Sequence, residues 1–407
     1  MIARLIIDYH LRRLIKTGTV EIFWPDGSWT RYGDGQFPRA ALEIKSAATA
    51  RRLVINPDLA MGEAYMDGTL KPVECTVYDV LRVFMSNTEL YDRGTFIMRI
   101  RRIFRRIYRT FSQANSKIRS MRNVKHHYDI GNDVYQIFLD SDLQYSCAYY
   151  PNGDETIDIA QIAKKRHILA KLILDRPNLN VLDIGCGWGG MALTMAHDYD
   201  ANVIGITLSE EQIMVARQRA ADAGLAHKCQ FYLCDYRTIF DKFDRIVSVG
   251  MFEHVGVPNY SAFFEVINRC LKADGVALLH AIGRLDPPAS TNPWISKYIF
   301  PGSYCPSLSE VIAPIEKSGL LYNDIEILRL HYSKTLYQWR HNFCANQKRI
   351  IDLYDDKFYR MFEFYLAGSQ LAFEYANHIV FQIQLSHSID TIPLIRDYIT
   401  DFEKLHV

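Results

Sequence analysis

Hydrophobic and polar positions show two different periodicities through the middle of the chain. Short apolar runs alternate with longer stretches in which apolar residues recur every three or four positions, a pattern typical of strands followed by helices. Because parallel strands are joined by helical crossovers, this alternation predicts a doubly wound α/β sheet with helices on both faces. The predicted strands are 180–184, 202–206, 230–233, 245–249 and 276–282, and the predicted helices include 210–223 and 259–271.

The N-terminal part has a pattern of its own. Residues 19–55 form short alternating runs that predict strands, with 19–24 and 28–32 on either side of the turn Pro25-Asp26-Gly27. A helical pattern follows at 77–91. We therefore expect a small α+β domain over 1–92, a linker over 93–122 and a catalytic domain over 123–407, whose part beyond residue 284 is rich in aromatic residues and includes a helix at 358–373.

Charge is unevenly distributed although the formal net charge is only +1. Residues 93–128 contain eleven Lys or Arg and no Asp or Glu, and between 95 and 111 apolar residues recur with helical spacing. This pattern predicts a basic amphipathic helix on an anionic membrane surface, where each cation contributes about 1 kcal/mol. The candidate membrane-binding residues are Arg99, Arg101, Arg102, Arg105, Arg106 and Arg109.

Two other interpretations of this basic segment are open. The helix could pack on the protein with its arginines solvated, or it could be an arm that binds RNA. No aromatic-interleaved RNA module accompanies the arginines, so we expect no nucleic-acid partner.

The cysteines favour a reducing compartment. The eight Cys residues form no Cys-x-x-Cys pair, and no His cluster has zinc-ligand spacing, so no metal is expected. No apolar run is long enough to cross a bilayer. We expect a cytoplasmic protein that associates peripherally with the inner face of the cytoplasmic membrane.

A glycine-rich turn follows the first predicted strand of the sheet, and it is the clearest chemical signal in the chain. Gly185, Gly187, Gly189 and Gly190 allow bare backbone amides to approach a ligand at the amino end of the next helix. The spacing fits a dinucleotide, but that fingerprint expects an acidic residue closing the second strand, where this chain has Thr207. The phrase from Asp183 to Gly187 instead resembles the first motif of class I S-adenosylmethionine-dependent methyltransferases.

Candidate contacts to the rest of the cofactor follow the second and third strands. Thr207, Leu208 and Gln212 stand where a ribose would lie, although Ser209 and Gln212 also have the spacing of a capping box. Asp235 could accept a hydrogen bond from an adenine amino group while Tyr236 packs on the ring. The alternative for Asp235 is an acid that merely stabilises a turn.

Several sequence segments, in the same order along the chain, resemble motifs of the cyclopropane-fatty-acyl-phospholipid synthase family, which includes the mycolic acid cyclopropane synthases. The resemblance runs from about residue 123 to the end of the chain and, more weakly, into 62–68. It implies a class I methyltransferase (Rossmann-like) fold with a helical, aromatic-rich lipid-binding subregion. The matching segments are 128–133, 144–147, 181–190, 205–209, 248–256, 278–280 and 293–301.

The resemblance also implies a reaction. A methylene group would pass from S-adenosylmethionine to the cis double bond of an unsaturated acyl chain in a membrane phospholipid. Such chemistry needs a dry site that tolerates positive charge, which aromatic faces could provide. Tyr145 and Ser146 match cofactor-contacting positions. A bound bicarbonate would accept the released proton, held by residues that match Cys147, Glu253, His280, Ile282 through its backbone, and Tyr332.

Each of those residues also has an ordinary explanation. Cys147 could be a buried thiol, Glu253 a first-turn acid of a helix, His280 a core histidine and Tyr332 a strand aromatic. Two other outcomes stay open on the same scaffold: a lipid C-methyltransferase that gives a branched methyl or methylene product, and a catalytically silent membrane-binding homologue. A homodimer is expected from the resemblance alone.

Overall fold

The computed structural model describes residues 2–87 and 131–405. Its strands are β1 (Thr19–Phe23), β2 (Trp29–Gly33), β3 (Arg39–Ile44), β4 (Leu70–Pro72), β5 (Asn180–Ile184), β6 (Asn202–Thr207), β7 (Cys229–Leu233), β8 (Phe243–Val249), β9 (Leu271–Arg284), β10 (Leu321–Ile327) and β11 (His378–Ser386). Its α-helices are α1 (Ile2–Leu14), α2 (Ala47–Ile55), α3 (Pro57–Met66), α4 (Val77–Met85), α5 (Asn132–Phe138), α6 (Ile157–Leu172), α7 (Gly190–Tyr199), α8 (Glu210–Asp222), α9 (Tyr260–Cys270), α10 (Pro293–Tyr298), α11 (Leu308–Ser318), α12 (His331–Ala345), α13 (Gln347–Leu353), α14 (Asp356–Tyr375) and α15 (Asp397–Leu405).

The chain groups into two compact units. Among the described residues, one contains 2–87, Ser290–Pro301 and Leu336–Asn377, and the other contains 131–289, Gly302–Thr335 and 378–405. Two stretches that the sequence analysis placed in the catalytic domain thus group with the N-terminal residues. The expected boundaries near 92 and 122 fall in the segment 88–130, outside the described residues, and stay predictions.

The first unit contains a sheet with strand order β2-β1-β3-β4. β1 and β2 form the expected hairpin, whereas the expectation of strands as far as residue 55 was wrong. The chain leaves the sheet after Ile44 because Ser46 caps α2, accepting a hydrogen bond from the Thr49 amide. Helix α4 follows the predicted pattern from Val77 but ends at Met85 rather than at 91.

Helix α3 contains most of the segment 62–68, and this segment contacts residues of 290–301 in the first unit. A Cβ atom on Gly62 would lie 2.4 Å from Nε1 of the Trp294 indole, so only glycine leaves room for that ring. The Glu63 carboxylate accepts hydrogen bonds from Lys297 at 2.7 Å and Tyr298 at 2.9 Å. The 62–68 phrase therefore holds α10, the first part of the aromatic-rich region.

The second unit contains a sheet with strand order β10-β11-β9-β8-β5-β6-β7. The five predicted strands are present and parallel to one another, as expected. Val181 and Leu182, adjacent on β5, belong to separate buried clusters on opposite faces of the sheet. The sequence analysis missed β10 and β11, and β11 runs antiparallel to β9.

Other expectations concern the helices. The aromatic helix predicted at 358–373 is confirmed as α14. Tyr332 lies in the first turn of α12, so its alternative interpretation as a strand aromatic was wrong. The basic segment 95–111, with all six candidate membrane-binding arginines, lies outside the described residues. Among the residues that are described, no helix combines the length and the apolar character needed to span a membrane.

Candidate active site

The glycine-rich turn lies between β5 and α7 and has the backbone that the sequence predicted. Gly185, Gly187 and Gly189 all have positive φ, at 88°, 54° and 85°, a region that other residues rarely adopt. Gly190 begins α7, and a Cβ atom there would lie 2.3 Å from the Gln144 amide nitrogen and 2.5 Å from the Asp142 carboxylate. The turn therefore needs glycine both for its conformation and for the close approach of the segment 140–147.

Segment 140–147 is held beside the turn by a network of charges. Burial raises the pKa of Asp142, but Lys165 and Arg219 outweigh it and hold that pKa below its usual value. Lys165 Nζ lies 2.6 Å from the Asp142 carboxylate, and Arg219 bonds both Asp142 and the backbone oxygen of Trp188. Arg219 thereby joins the segment to the glycine turn.

A buried lysine holds the next residues of this segment. Lys164 is fully buried in α6, and its Nζ donates to Gln144 Oε1 at 2.6 Å and Ser146 Oγ at 2.9 Å. Gln161, one turn earlier, donates to the backbone oxygens of the same two residues at 3.1 and 3.0 Å. Burial lowers the pKa of Lys164 to about 8.

Thr207 and Gln212 lie together at the end of β6. Thr207 Oγ1 donates to Gln212 Oε1 at 3.0 Å and accepts from the Ser209 amide at 3.2 Å. The Ser209 hydroxyl accepts from the Gln212 amide, which is one half of the expected capping box. The other half, a hydrogen bond from the Ser209 amide to the Gln212 side chain, was wrong. The Gln212 side chain accepts from Thr207, and so does not serve the Ser209 amide.

Asp235 follows β7, and both its carboxylate oxygens accept hydrogen bonds from Arg237 at 2.6 to 3.0 Å. Oδ1 accepts two of these bonds and Oδ2 one. The expected contact to an adenine amino group stays a prediction. Tyr236 packs edge-on against Phe263, with ring centroids 5.4 Å apart.

These elements enclose a cleft with a volume of about 150 Å³. Every candidate cofactor-binding residue except Gly189 lines it; the lining residues among them are Tyr145, Ser146, Asp183, Gly185, Gly187, Thr207, Leu208, Gln212, Asp235 and Tyr236. Gly189 instead packs toward Phe231 and Ala216. The five residues matched to a bicarbonate site do not line the cleft.

The polar atoms of the cleft fit a cofactor that carries hydrogen-bond donors. Burial raises the pKa of Asp183 to about 7, and its Oδ2 has no hydrogen-bond partner among the described residues. A buried acceptor without a partner is costly, so a donor on a bound ligand would satisfy it. Burial lowers the pKa of His254, another lining residue, to about 4 and keeps it neutral near pH 7.

Glu253 lies in a short 3-10 turn after β8, beside β9, the strand that carries His280. Glu253 Oε1 accepts from the Ile282 amide on β9 at 2.6 Å, while Oε2 is buried and has no partner within the described part of the chain. Burial raises the pKa of Glu253 to about 7 and lowers that of His280 well below its usual value. Gln382 Nε2 lies 3.2 Å from His280 Nδ1, so the amide donates to Nδ1 and the imidazole proton is on Nε2.

Cys147 and Tyr332 belong to neighbouring segments. Cys147 is buried, and its thiol donates to the Ala148 oxygen at 3.3 Å. Burial raises the pKa of Cys147, so it is a neutral thiol and not a nucleophilic thiolate. The Ala148 amide donates to Thr335 Oγ1 at 3.1 Å, which ties this segment to the first turn of α12, where Tyr332 is also buried.

Gly250 contacts both the strand that carries His280 and the segment that carries Cys147. Its amide donates to the His280 oxygen at 2.9 Å, and a Cβ atom on it would lie 3.9 Å from Ser146 Cβ. Burial has the largest effect on the pKa of Cys147 and of His280, and the Lys164 charge has the second largest. That charge lowers both pKa values. The structure thus brings the segments that carry these residues together, next to the cleft.

Sequence reasoning missed several residues at this site. Gln144 and His254 were inside phrases used for the resemblance but were given no role. Lys164 was not considered, because a lysine in an amphipathic helix is usually exposed. Lining residues that were given no role also include Leu143, Trp188, Cys234, Arg237, Met251 and Val255.

Comparison with known proteins identifies the family. The mycolic acid cyclopropane synthetase family model matches residues 115–383, and a domain family of unknown function (DUF7884) matches 8–92. The chain is 38% identical to the cyclopropane-fatty-acyl-phospholipid synthase of Escherichia coli, over 91% of this chain and 96% of that protein. The chain belongs to the mycolic acid cyclopropane synthetase family. The resemblance predicted from the sequence is therefore confirmed.

Two more relatives are informative. The tuberculostearic acid methyltransferase of Mycobacterium tuberculosis is 33% identical over 89% of this chain and 86% of its own length. The solved mycolic acid cyclopropane synthase CmaA1, complexed with SAH and CTAB, is 35% identical, with a TM-score of 0.62 over 65% of this chain and 97% of that one. The likeness confirms the expected class I methyltransferase fold.

Proposed function

We propose that this protein transfers a methylene group from S-adenosylmethionine to the cis double bond of an unsaturated acyl chain in a membrane phospholipid, forming a cyclopropane fatty acid. The observation that carries the proposal is a glycine-turn cleft beside a buried Glu253 whose Oε2 has no described partner, in a chain of this family. When bound, S-adenosylmethionine supplies an electrophilic methyl group on a sulfonium.

The residues of the cleft would position that cofactor. The glycine turn presents backbone amides, Asp183 offers a buried acceptor, and Thr207 and Gln212 offer polar groups at the ribose position. Tyr145 and Ser146 close the cleft from the segment that Lys164 holds. Neutral His254 adds no charge that would repel a cationic ligand.

The chemistry also needs a proton acceptor in a place without water. A bicarbonate held by Glu253, His280, Tyr332, Cys147 and the Ile282 backbone would supply that acceptor. His280 Nε2 and the Tyr332 hydroxyl can donate to an anion, and the unpaired Glu253 oxygen can accept from its hydroxyl. Because Cys147 stays neutral, it adds no negative charge that would repel the anion.

The remaining parts of the proposal concern the surroundings of the enzyme. The arginines between 99 and 109 would dock a peripheral, cytoplasmic protein on the anionic inner face of the membrane. A homodimer is proposed by family likeness, and light scattering coupled to size-exclusion chromatography tests it.

A direct test supplies purified protein with S-adenosylmethionine and liposomes of cis-unsaturated phosphatidylglycerol. Proton NMR of the released fatty acids should show the high-field signals of cyclopropane methylene protons. The variant Glu253→Gln should bind SAH but give little product. Intact SAH binding with no modified lipid from the wild-type protein would reject the function.

A second product is favoured by one specific observation, the 33% identity to a tuberculostearic acid methyltransferase. Loss of a proton from the acyl chain would give a methyl branch beside a shifted double bond, and a hydride shift followed by proton loss from the transferred methyl group would give a methylene branch, in both cases instead of a ring. The same spectra separate the outcomes, since a branch lacks the high-field ring signals. A catalytically silent homologue would instead bind liposomes and yield neither product.

A further inference from the structure

Helix α1 has an exposed apolar face that the core of its unit does not use. Ile2, Leu5, Ile6 and Tyr9 recur at helical spacing on one side, and they are 72%, 63%, 37% and 53% exposed. The opposite side is anchored, with Leu11 buried in the cluster formed with the small sheet. Four large apolar side chains on one solvated helix face indicate an interaction surface.

The charged residues of α1 determine which partner fits this face. Helical spacing places Arg12 and Arg13 on the same side as the apolar residues, one turn further along. Asp8 lies on the flank, where it pairs with Arg12 at 2.9 Å and accepts from Tyr32. The Arg13 guanidinium lies 4.6 Å from the Tyr9 ring centroid, and no acid pairs with it in the ranges the structure covers. The face is therefore apolar and basic, with Arg12 balanced by the flanking Asp8 and Arg13 as its cation without an acidic partner in the described ranges.

We propose that this face of α1, formed by Ile2, Leu5, Ile6, Tyr9, Arg12 and Arg13, docks on an anionic phospholipid surface. Its apolar residues would enter the boundary between headgroups and acyl chains while the two arginines meet lipid phosphates. Tyr9 suits that depth because its ring is apolar and its hydroxyl polar. The proposal rests on the proposed function only in that the same membrane would contain the substrate.

A second copy of the chain fits this face less well. Two-fold pairing of identical faces would bury Arg13 with no acidic partner from the described residues of either copy, since the nearby Asp8 already pairs with Arg12. A lipid leaflet supplies the missing negative charge and an apolar layer together. Charge complementarity therefore favours the membrane.

The test is co-sedimentation of the full chain with phosphatidylglycerol vesicles. The double variant Leu5→Glu, Ile6→Glu should weaken partitioning about tenfold or more, because it replaces two membrane-buried aliphatic side chains with anions. The matched control is Leu394→Glu, Ile395→Glu, which changes side chains that are 99% and 65% exposed elsewhere. Control partitioning should equal wild type, and circular dichroism should show both variants folded.

A second variant tests the charge. Arg12→Gln, Arg13→Gln should bind phosphatidylglycerol vesicles more weakly, with a shallower dependence on salt than wild type. Binding of all α1 variants within experimental error of wild type would overturn the proposal. So would a change from dimer to monomer with unaltered vesicle binding, which would assign the face to a second copy.

Failure of this proposal can be told apart from failure of the proposed function. Lipid dispersed in detergent needs no docking, so α1 variants should retain wild-type turnover there. No product from any variant or from wild type, with the α1 effect on vesicles intact, would reject only the enzymatic function. Normal product with α1 variants that bind vesicles as wild type would reject only the docking face.

Discussion

At the scale of single residues, the account depends on Glu253. Its Oε1 is fixed by the Ile282 amide, and its Oε2 faces no described partner. Replacement by Gln keeps an oxygen for that amide but cannot present an anionic acceptor. We expect Glu253→Gln to lower kcat about a hundredfold or more, because the proposed bicarbonate would lose the carboxylate that orients it as proton acceptor. SAH affinity measured by calorimetry should not change.

The pH dependence of kcat follows from the same carboxyl. Its pKa is raised to about 7 by burial, so it is protonated below that pH and no longer offers an anionic acceptor for the hydroxyl of the proposed bicarbonate. Wild-type kcat should rise as pH increases through about 7. Stopped-time assays over roughly pH 5.5 to 8.5 should show that this rise of kcat with pH is lost in Glu253→Gln. An identical rise in the variant would assign it elsewhere.

Lys164 is expected to act through the residues that it holds. Lys164→Met removes the hydrogen bonds to Gln144 and Ser146, so SAH affinity should fall about tenfold. The protein should remain folded, since replacing a buried cation with an apolar side chain removes a desolvation cost. Lys171→Met is the control, because Lys171 is equally buried in α6 but pairs with Glu326. It should lower the thermal midpoint and leave SAH affinity unchanged.

At the scale of elements, the C-terminal helix α15 is tied to α6 by His167. Its Nδ1 lies 2.7 Å from Glu403 and its Nε2 2.6 Å from Glu326. Burial lowers the pKa of His167, but hydrogen bonds to these two carboxylates outweigh it and raise the pKa above its usual value. The histidine is therefore held as a cation at pH values where the unfolded chain would have released its proton.

The sign of the resulting pH effect is fixed. Stabilisation by a group with a raised folded pKa is fully present below the unfolded value near 6.5 and is lost as pH rises through the folded value. Amide exchange in α15 should speed up as pH rises through that window, beyond the intrinsic chemical increase. His167→Asn should abolish the extra pH dependence, and protection that is independent of pH in wild type would contradict the assignment.

The sequence could predict the features that depend on neighbouring residues, but not those that depend on contacts between distant segments. The strands β5 to β9 and the glycine turn were predictable because their periodicity and chemistry lie within a few residues. β10 and β11 were missed because their pairing joins Leu321–Ile327 to His378–Ser386, across the helices α12 to α14. Gln144 reaches the cleft, and Lys164 reaches Gln144 and Ser146, only through tertiary packing, and no local pattern marks a buried lysine.

At the scale of the whole molecule, the N-terminal residues are more than a separate module. Segments 290–301 and 336–377 belong to the same compact unit as the first part of the chain. The aromatic residues that the sequence analysis treated as one region are accordingly divided: Trp294 and Trp339 are buried in the first unit, and Tyr304 and Tyr332 in the second. Deletion of residues 1–87 should therefore destabilise α10 and α14, which calorimetry of the truncated chain would detect as loss of a cooperative transition.

The central claim is that one proton of the transferred methyl group is removed to close a ring on a phospholipid acyl chain. The most direct measurement uses S-adenosylmethionine with a fully deuterated methyl group, liposomes of cis-unsaturated phosphatidylglycerol and mass spectrometry of the released fatty acids. The account predicts a product that retains two of the three deuterons, because the third leaves on ring closure, and that shows no alkene carbons by NMR, which excludes a methylene branch with the same deuteron count. A product that retains all three would mean that the proton came from the acyl chain, and ring formation on this protein would be contradicted.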